Sequence, residues 1–283
     1  MQREEKNSIS GIWKDKPMGK IKTLLFALTP GAAFILAQSV ILLCFDSACL
    51  MISMVLARLG GSPSGFLQVM AREGSYLVGI IGDGIFLILG FVWLRRQFLY
   101  PEKEKAPYPL GAQAMLFLLV SGAALQFATD VLLTLAQVFL PGLMDSYMQV
   151  MESLGMGAPT VCSLVYTVVF APVAEELAFR GLTLGILLRG KFSFWTANAI
   201  QALLFALIHG NLVQGAYAFA AGLLFGCLLR RYGSLKAPVF CHFVVNLSGV
   251  LMGMLPFGFP GLAVSAVLLT AAALVLKYAE ERK

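Results

Sequence analysis

An all-α, polytopic membrane helix bundle of about eight transmembrane helices is the fold this sequence predicts, on three observations. Hydrophobic residues fill 59% of the 283 positions and charged residues only 13%, whereas a soluble domain carries roughly a quarter charged residues. Apolar runs of about 20 residues, enough to cross a bilayer, recur from Lys22 to Lys277. Between those runs Lys and Arg collect in alternate connections, as the positive-inside bias requires of a multi-pass chain.

The elements follow in order. Residues 1–22 form a polar, basic arm, expected to be cytoplasmic. The apolar run behind it far exceeds the 7–15 residues of a signal-peptide core, so it reads as a retained anchor. Spans are expected over 23–45, 76–94, 111–138, 161–188, 194–210, 214–230, 238–255 and 261–277, all within one transmembrane domain, 23–283. The stretch "DSACLMISMVLARLGG" either extends the first helix or lies along the interface. Gly60, Gly61, Pro63 and Gly65 then mark a loop.

Basic residues cluster at Lys14–Lys22, at Arg95, Arg96, Lys103 and Lys105, at Arg189 and Lys191, at Arg230, Arg231 and Lys236, and at Lys277, Arg282 and Lys283. The connections 141–160, 211–213 and 256–260 hold no Lys or Arg, and 46–75 holds only Arg58 and Arg72. Both termini are therefore expected on the cytoplasmic side, of a bacterial plasma membrane. Topology accounts for the net charge of +6, and no nucleic-acid partner is invoked. Five cysteines, an odd number without paired spacing, argue against a disulfide framework and read as small buried apolar groups. "GLLFG" at Gly222–Gly226 is a small-xxx-small pattern that lets a neighbouring helix approach closely.

Against this background "AEELAFRGLTLG", Ala174–Gly185, stands out. A charge at the centre of a membrane helix costs about 2.5–3.5 kcal/mol, and here Glu175, Glu176 and Arg180 fall together. At about 100° per residue, Glu176 and Arg180 share a face at i, i+4 and can pair, while Glu175 points elsewhere with no partner on its own helix. One reading is an ion-pair staple between helices. The other is a Glu176–Arg180 brace beside a Glu175 that projects into a wet cavity, where a buried carboxylate suits proton transfer.

The chain has two histidines. His209 ends "LLFALIHGN" with Phe205 one turn beneath it, and His242 in "APVFCHFVVNLSG" shares a helix face with Asn246. Every histidine and all charge of the fourth span lie between residues 175 and 246, which favours one polar site built by the C-terminal half.

"EELAFR" fits the pattern EExxxR, "FALIH" fits FxxxH and "HFVVN" fits HxxxN. In this order and approximate spacing they resemble the CAAX-protease/bacteriocin-processing (CPBP, or Abi) family of intramembrane proteases, whose members include type II CAAX prenyl endopeptidases. "GLLFGCLLRRYGSLKAPVFCH" is similar to that family's linking helix and turn. The resemblance covers about 160–250 well, and the first half only in general hydropathy. It implies an intramembrane endopeptidase with Glu175 as general base, Glu176 supporting it with Arg180, and His209, His242 and Asn246 completing the site. A membrane-associated peptide or protein in the lipid bilayer would be the substrate.

Other chemistries fit less well. H-E-x-x-H is absent. Ser163 and Ser248 lack a nucleophile-like glycine context. Asp83 ("IIGDG") and Asp130 ("FATDV") lie within spans two and three as an aspartyl-protease alternative, without its glycine-x-glycine-aspartate signature. Cys241 beside His242 is no dyad, because adjacent helical residues diverge by about 100°. A transporter, or a catalytically silent immunity or partner-binding protein, would use the same buried polar residues, although a transporter is expected to show two related halves.

The expected chemistry is attack by water on a peptide carbonyl, with Glu175 taking the proton, His242 and Asn246 donating to the oxyanion, and His209 orienting the water. Two histidines and one glutamate are also the ligand set of a catalytic zinc site. If zinc is present, Glu175, His209 and His242 are the expected ligands; the metal-free version is favoured because zinc-binding histidines usually come with a short i, i+4 pair or a carboxylate on their other nitrogen, whereas these sit on different helices with Asn246 placed as a donor beside His242. Depth poses a problem: along straight helices Glu175 is roughly 21 Å from Arg189, His209 roughly 27 Å from Lys191, and His242 only about 9 Å from Lys236. Tilt, a kink or a charged turn drawn into the protein must close that gap.

Overall fold

A computed structural model describes residues 19–97, 108–153, 159–253 and 259–281, and all regular structure among them is helical. Most of the expected cytoplasmic arm, Lys103, Lys105, Arg282 and Lys283 lie outside the described residues.

Helix α1 (Lys20–Ala27) passes through a turn at Leu28 into α2 (Thr29–Arg58), with Pro30 in the first turn, where its missing N–H removes no helical bond. Leu59–Pro63 form the only break before α3 (Ser64–Gln97), and Gly60 takes the positive φ of 75° that this tight reversal needs. The stretch after Cys44 therefore extends the first helix, and the second starts twelve residues before the expected 76. At 30 and 34 residues, α2 and α3 are roughly 45 and 51 Å long. Both exceed the hydrocarbon thickness of about 30 Å. Hydropathy marked only the part of each helix rich enough in apolar residues.

Helix α4 (Ala112–Phe139) is followed by α5 (Pro141–Ser153), which the sequence reading treated as a connection. Its segment is short and mixed in polarity, yet it buries Met144 and Tyr147 against Val213. Helix α6 (Val161–Arg189) starts from a reciprocal cap: Thr160 Oγ1 accepts from Ser163 N at 3.2 Å and Ser163 Oγ from Thr160 N at 2.7 Å. Ser163 is thereby a capping residue, which accounts for it without a nucleophilic role.

Helix α7 (Phe194–Leu207) is capped by Ser193 and runs for only 14 residues, roughly 21 Å. Among the described residues it is the shorter apolar helix beside seven that are long and apolar enough to cross a membrane. It stops before the expected residue 210 because Gly210 turns left-handed (φ 65°) and Asn211 begins α8 (Leu212–Tyr232), its Oδ1 accepting from Val213 N and Gln214 N. Gly233, at φ 58°, ends α8. Helices α9 (Lys236–Gly253) and α10 (Phe259–Glu281) complete the chain. The protein is thus an integral, multi-pass helical membrane protein.

Packing puts α6 at the centre. One core surrounds it, from Ala27 and Phe34 to Phe179, Leu182 and Phe205; a second joins α4, α8, α9 and α10 through Leu118, Phe225, Leu228 and Cys241. Helices α7 and α8 meet at the small-xxx-small pattern: a Cβ on Gly222 would lie 2.9 Å from Ala202 Cβ, and one on Gly226 would overlap Asn198 Oδ1. That close approach lets Asn198 Nδ2 reach the Leu223 carbonyl at 3.0 Å and Gln201 Nε2 the Gly222 carbonyl at 2.9 Å. The five cysteines are free.

Candidate active site

The depth problem closes through α6 and the turn before α9. A Cβ on Gly181 would lie 3.3 Å from Leu235 Cδ1, so the charged turn rests against Gly181, well short of the level of Arg189. His242 is as far along α9 from Leu235 as Glu175 is from Gly181, to within a residue, and the two side chains meet.

Helix α6 is not uniform. π-Helical turns at Tyr166–Phe170 and Leu177–Thr183 flank Ala171–Glu176, and such widened turns occur chiefly at functional sites. The first has a visible cause and consequence. Ala171 N–H donates to the Tyr166 carbonyl, but Pro172, lacking an N–H, cannot continue the ladder onto Thr167. Asn246 Nδ2, reaching over from α9, donates to the Thr167 carbonyl at 2.8 Å instead.

Glu176 and Arg180 pair as their spacing predicts: Arg180 Nη1 donates to Glu176 Oε1 at 2.9 Å, with both side chains fully buried. Their surroundings make the pair tolerable. The guanidinium lies over the Phe205 ring at 4.3 Å and the Phe225 ring at 5.1 Å, contacts that strengthen when desolvated. Gly222 leaves room for Nη2, which a Cβ there would approach to 3.2 Å.

The same Glu176 Oε1 accepts from His242 Nδ1 at 3.0 Å, a contact between helices that the sequence did not show. His242 Nε2 then faces Glu175 Oε2 at 3.7 Å, slightly beyond hydrogen-bond distance. His242 stacks on Phe225 with centroids 4.8 Å apart, and Phe205 meets it edge-on at 6.0 Å. The adjacent glutamates are therefore split by one imidazole, Glu176 behind it and Glu175 before it.

Before it lies a cavity of ≈ 670 Å³, whose lining includes Glu175, His209, His242 and Asn246 but neither Glu176 nor Arg180. His209 sits in the turn after α7, where its Nδ1–H donates to the Phe205 carbonyl at 2.8 Å and its ring stands edge-on to Phe205, centroids 4.9 Å apart. With Nδ1 so engaged, Nε2 is the nitrogen left for another partner. The expected site residues thus gather as a contacting quartet, Glu175, Glu176, Arg180 and His242, with His209 and Asn246 on the same cavity wall. Asn246 differs from expectation in one respect: one of its amide hydrogens serves the backbone of α6.

Among the described residues no three His, Cys, Asp or Glu side chains converge as a metal-holding group. The contact of His242 Nδ1 with Glu176 is nevertheless the carboxylate support that a metal-bound histidine has. Asp83 and Asp130 do not form a pair with each other: Gln38 Nε2 donates to Asp83 Oδ1 at 2.8 Å, and Gln126 Nε2 to Asp130 Oδ1 at 3.1 Å.

Several contributors escaped the sequence. Gln38 bridges Asp83 and the Tyr166 hydroxyl, the latter at 3.5 Å, and Gln38 and Tyr166 both line the cavity. Phe225 boxes Arg180 and His242 together with the motif residue Phe205, and Tyr147 of α5 lines the cavity with its hydroxyl 3.5 Å from that of Tyr217. A lone glutamine or phenylalanine inside an apolar span carries no local mark of such a role.

Fold and site together define a multi-pass helical membrane protein whose buried Glu–Arg–His cluster adjoins a cavity at membrane depth. Residues 157–248 match the family model described as Rce1-like, type II CAAX prenyl endopeptidase Rce1-like, and the resemblance carried by the three motifs is borne out over the segment that holds them. The chain is 28% identical over 93 residues to the Bacillus subtilis (strain 168) protein named "Putative membrane peptidase YdiL", covering 33% of this chain and 38% of that protein. It is 32% identical over 98 residues to an uncharacterized 24.3 kDa protein of Escherichia coli, covering 33% of this chain and 45% of that one. The matches thus span less than half the length of either relative. No solved structure matches the chain significantly.

Proposed function

We propose that the protein is an intramembrane endopeptidase that hydrolyses a peptide bond of a membrane-associated polypeptide, with Glu175 as general base. The observation carrying this reading is the division of labour between neighbours. Glu175 borders the cavity, while Glu176 is sealed behind His242 against Arg180.

In this mechanism Glu175 takes a proton from a water in the cavity, and the water oxygen forms a bond to the scissile carbonyl carbon. His242, protonated on both nitrogens, donates from Nδ1 to Glu176 and from Nε2 to the developing oxyanion. Before the proton moves, two carboxylates balance Arg180 and the imidazolium; once Glu175 is protonated, the oxyanion takes its place in that balance. Asn246 adds its second amide hydrogen, its first being fixed on Thr167. Oxyanion contacts of this kind are worth about 3–4 kcal/mol each. His209 Nε2 accepts from the attacking water and orients it. The C–N bond then breaks, and the proton held by Glu175 passes to the leaving nitrogen.

The test compares membrane-protein termini in cells carrying the natural protein or Glu175→Gln, alongside metal analysis of purified active protein. New termini that vanish with Glu175→Gln support the reading. Their absence supports a silent partner-binding role. Stoichiometric zinc whose removal abolishes activity and whose return restores it would overturn the metal-free chemistry.

A further inference from the structure

The cavity has a direction. At its inner end it is floored by Phe205 of α7 and Phe225 of α8. Phe225 lies roughly 10 Å along α8 from Tyr232, and Phe205 roughly 16 Å along α7 from Phe194. Those helix ends adjoin the turns that carry Arg189, Lys191, Arg230, Arg231 and Lys236. On α4 the lining begins only at Leu125 and on α2 at Phe34, and on α9 it comes no nearer to Lys236 than His242, about 9 Å along the helix.

At its other end the lining continues to Tyr147 and Met151 of α5, to Pro159, and to Gly253 at the end of α9. Tyr147, Met151 and Pro159 belong to the connection 141–160, and Gly253 ends α9 just before 256–260; neither connection holds Lys or Arg. The cavity's charge is also one-sided. Among the described residues Asp130 and Glu175 line it, and no Lys or Arg does. Asp130 Oδ2 is buried there with no hydrogen-bond partner among the described residues.

We propose that this cavity is served from the membrane face opposite the Lys/Arg-rich connections, and that it receives a neutral or basic polypeptide segment presented on that non-cytoplasmic face. The substrate class rests on the peptidase reading; the direction of access does not. A carboxylate, whether an acidic side chain or a free C-terminus, would enter a cavity whose described lining holds no Lys or Arg, and where two carboxylates stand against the single His242 imidazolium. An uncharged or basic segment meets no such opposition, and a basic group would find Asp130 Oδ2 unpaired.

The direction is tested by thiol labelling in right-side-out and inside-out membrane vesicles. The full-length protein is used with Cys44, Cys49, Cys162, Cys227 and Cys241 replaced by alanine. Single cysteines are placed in the cavity wall, Thr129→Cys or Ala221→Cys, and at Lys236→Cys in the basic turn. A charged, membrane-impermeant methanethiosulfonate should modify the cavity cysteines in right-side-out vesicles, and Lys236→Cys only in inside-out ones. Modification of the cavity cysteines only in inside-out vesicles overturns the proposal, as does failure of both to react from either face. The two cavity variants guard against one failing to fold, and labelling needs no cleavage, so an inactive protein still decides the direction. Termini lost with Glu175→Gln should lie on the non-cytoplasmic side with flanks free of Asp and Glu. Cytoplasmic termini, or termini flanked by acidic residues, refute the substrate class while leaving the peptidase reading intact.

Discussion

The spans Lys20–Arg58 and Val161–Arg189 are both apolar enough to cross a membrane, yet they are built for opposite surroundings. The most apolar window of the first has mean hydropathy 2.4 and none of it is buried in the protein; that of the second has 1.5, with 44% buried. Lipid faces Leu36, Leu43 and Val55 of α2, where shape matters little. Helix α6 instead buries Glu176, Arg180 and Thr183 among protein groups, where Glu176 Oε1 and Arg180 Nη1 pair while Glu176 Oε2, Arg180 Nε and Arg180 Nη2 find no hydrogen-bond partner among the described residues. Of these two spans, then, the less apolar is the more interior one. Its lower hydropathy marks the place where protein replaces lipid as the solvent.

The largest expected effect would break this contrast at its centre. Glu175→Gln should lower peptidase turnover by about 10²–10⁴-fold, the usual worth of a general base, while the thermal midpoint in detergent stays near that of the natural protein. Retained turnover in purified Glu175→Gln protein would return α6 to a purely structural helix.

Next comes Glu176→Gln. It removes the negative charge from the buried Arg180 and weakens the anchor of His242, and breaking a buried pair from one side costs about 3–5 kcal/mol. Denaturant unfolding should show a loss of that order. A loss below about 1 kcal/mol, the range of surface pairs, would mean that the site is wetter than its burial indicates.

The Pro172–Asn246 relationship gives a sharper, smaller test. Asn246→Ala leaves the Thr167 carbonyl without its donor and should cost about 1–3 kcal/mol. Adding Pro172→Ala restores a backbone N–H next in the ladder, so the double variant should recover part of that stability. A double-mutant cycle measures the recovery; strictly additive losses would show that Asn246 does not substitute for the missing amide. The smallest effect is expected on α2, where Leu43→Ile at 70% exposure should move stability by no more than about 0.5 kcal/mol.

Much of the site could be read from the chain because its motifs are local or ordered. Glu176 and Arg180 pair at i, i+4, a fixed property of helical geometry, and the two histidines announce themselves by rarity inside apolar spans. The termination of α7 was also present in "HGN", where a left-handed glycine precedes a capping asparagine, but the apolar run ending at that point masked it. Helix α5 was missed for a different reason. Its 13 residues carry too little apolar surface to register as a span, and its helicity depends on docking Met144 and Tyr147 against α8.

The sequence by itself determined the helical, multi-pass class, the basic and non-basic connections, the Glu176–Arg180 pair and the grouping of Glu175, His209, His242 and Asn246. Composition and helical periodicity act within one segment, so they leave a trace in the order of residues. Tertiary structure alone decided that His242 stands between the two glutamates, that Asn246 spends one hydrogen on the carbonyl orphaned by Pro172, and that Leu235 draws the charged turn down to Gly181. Each of those joins atoms from separate helices whose relative depth no single helix encodes. That depth is fixed by glycines and aromatic rings packing between helices, and with it the height of His242 beside Glu175.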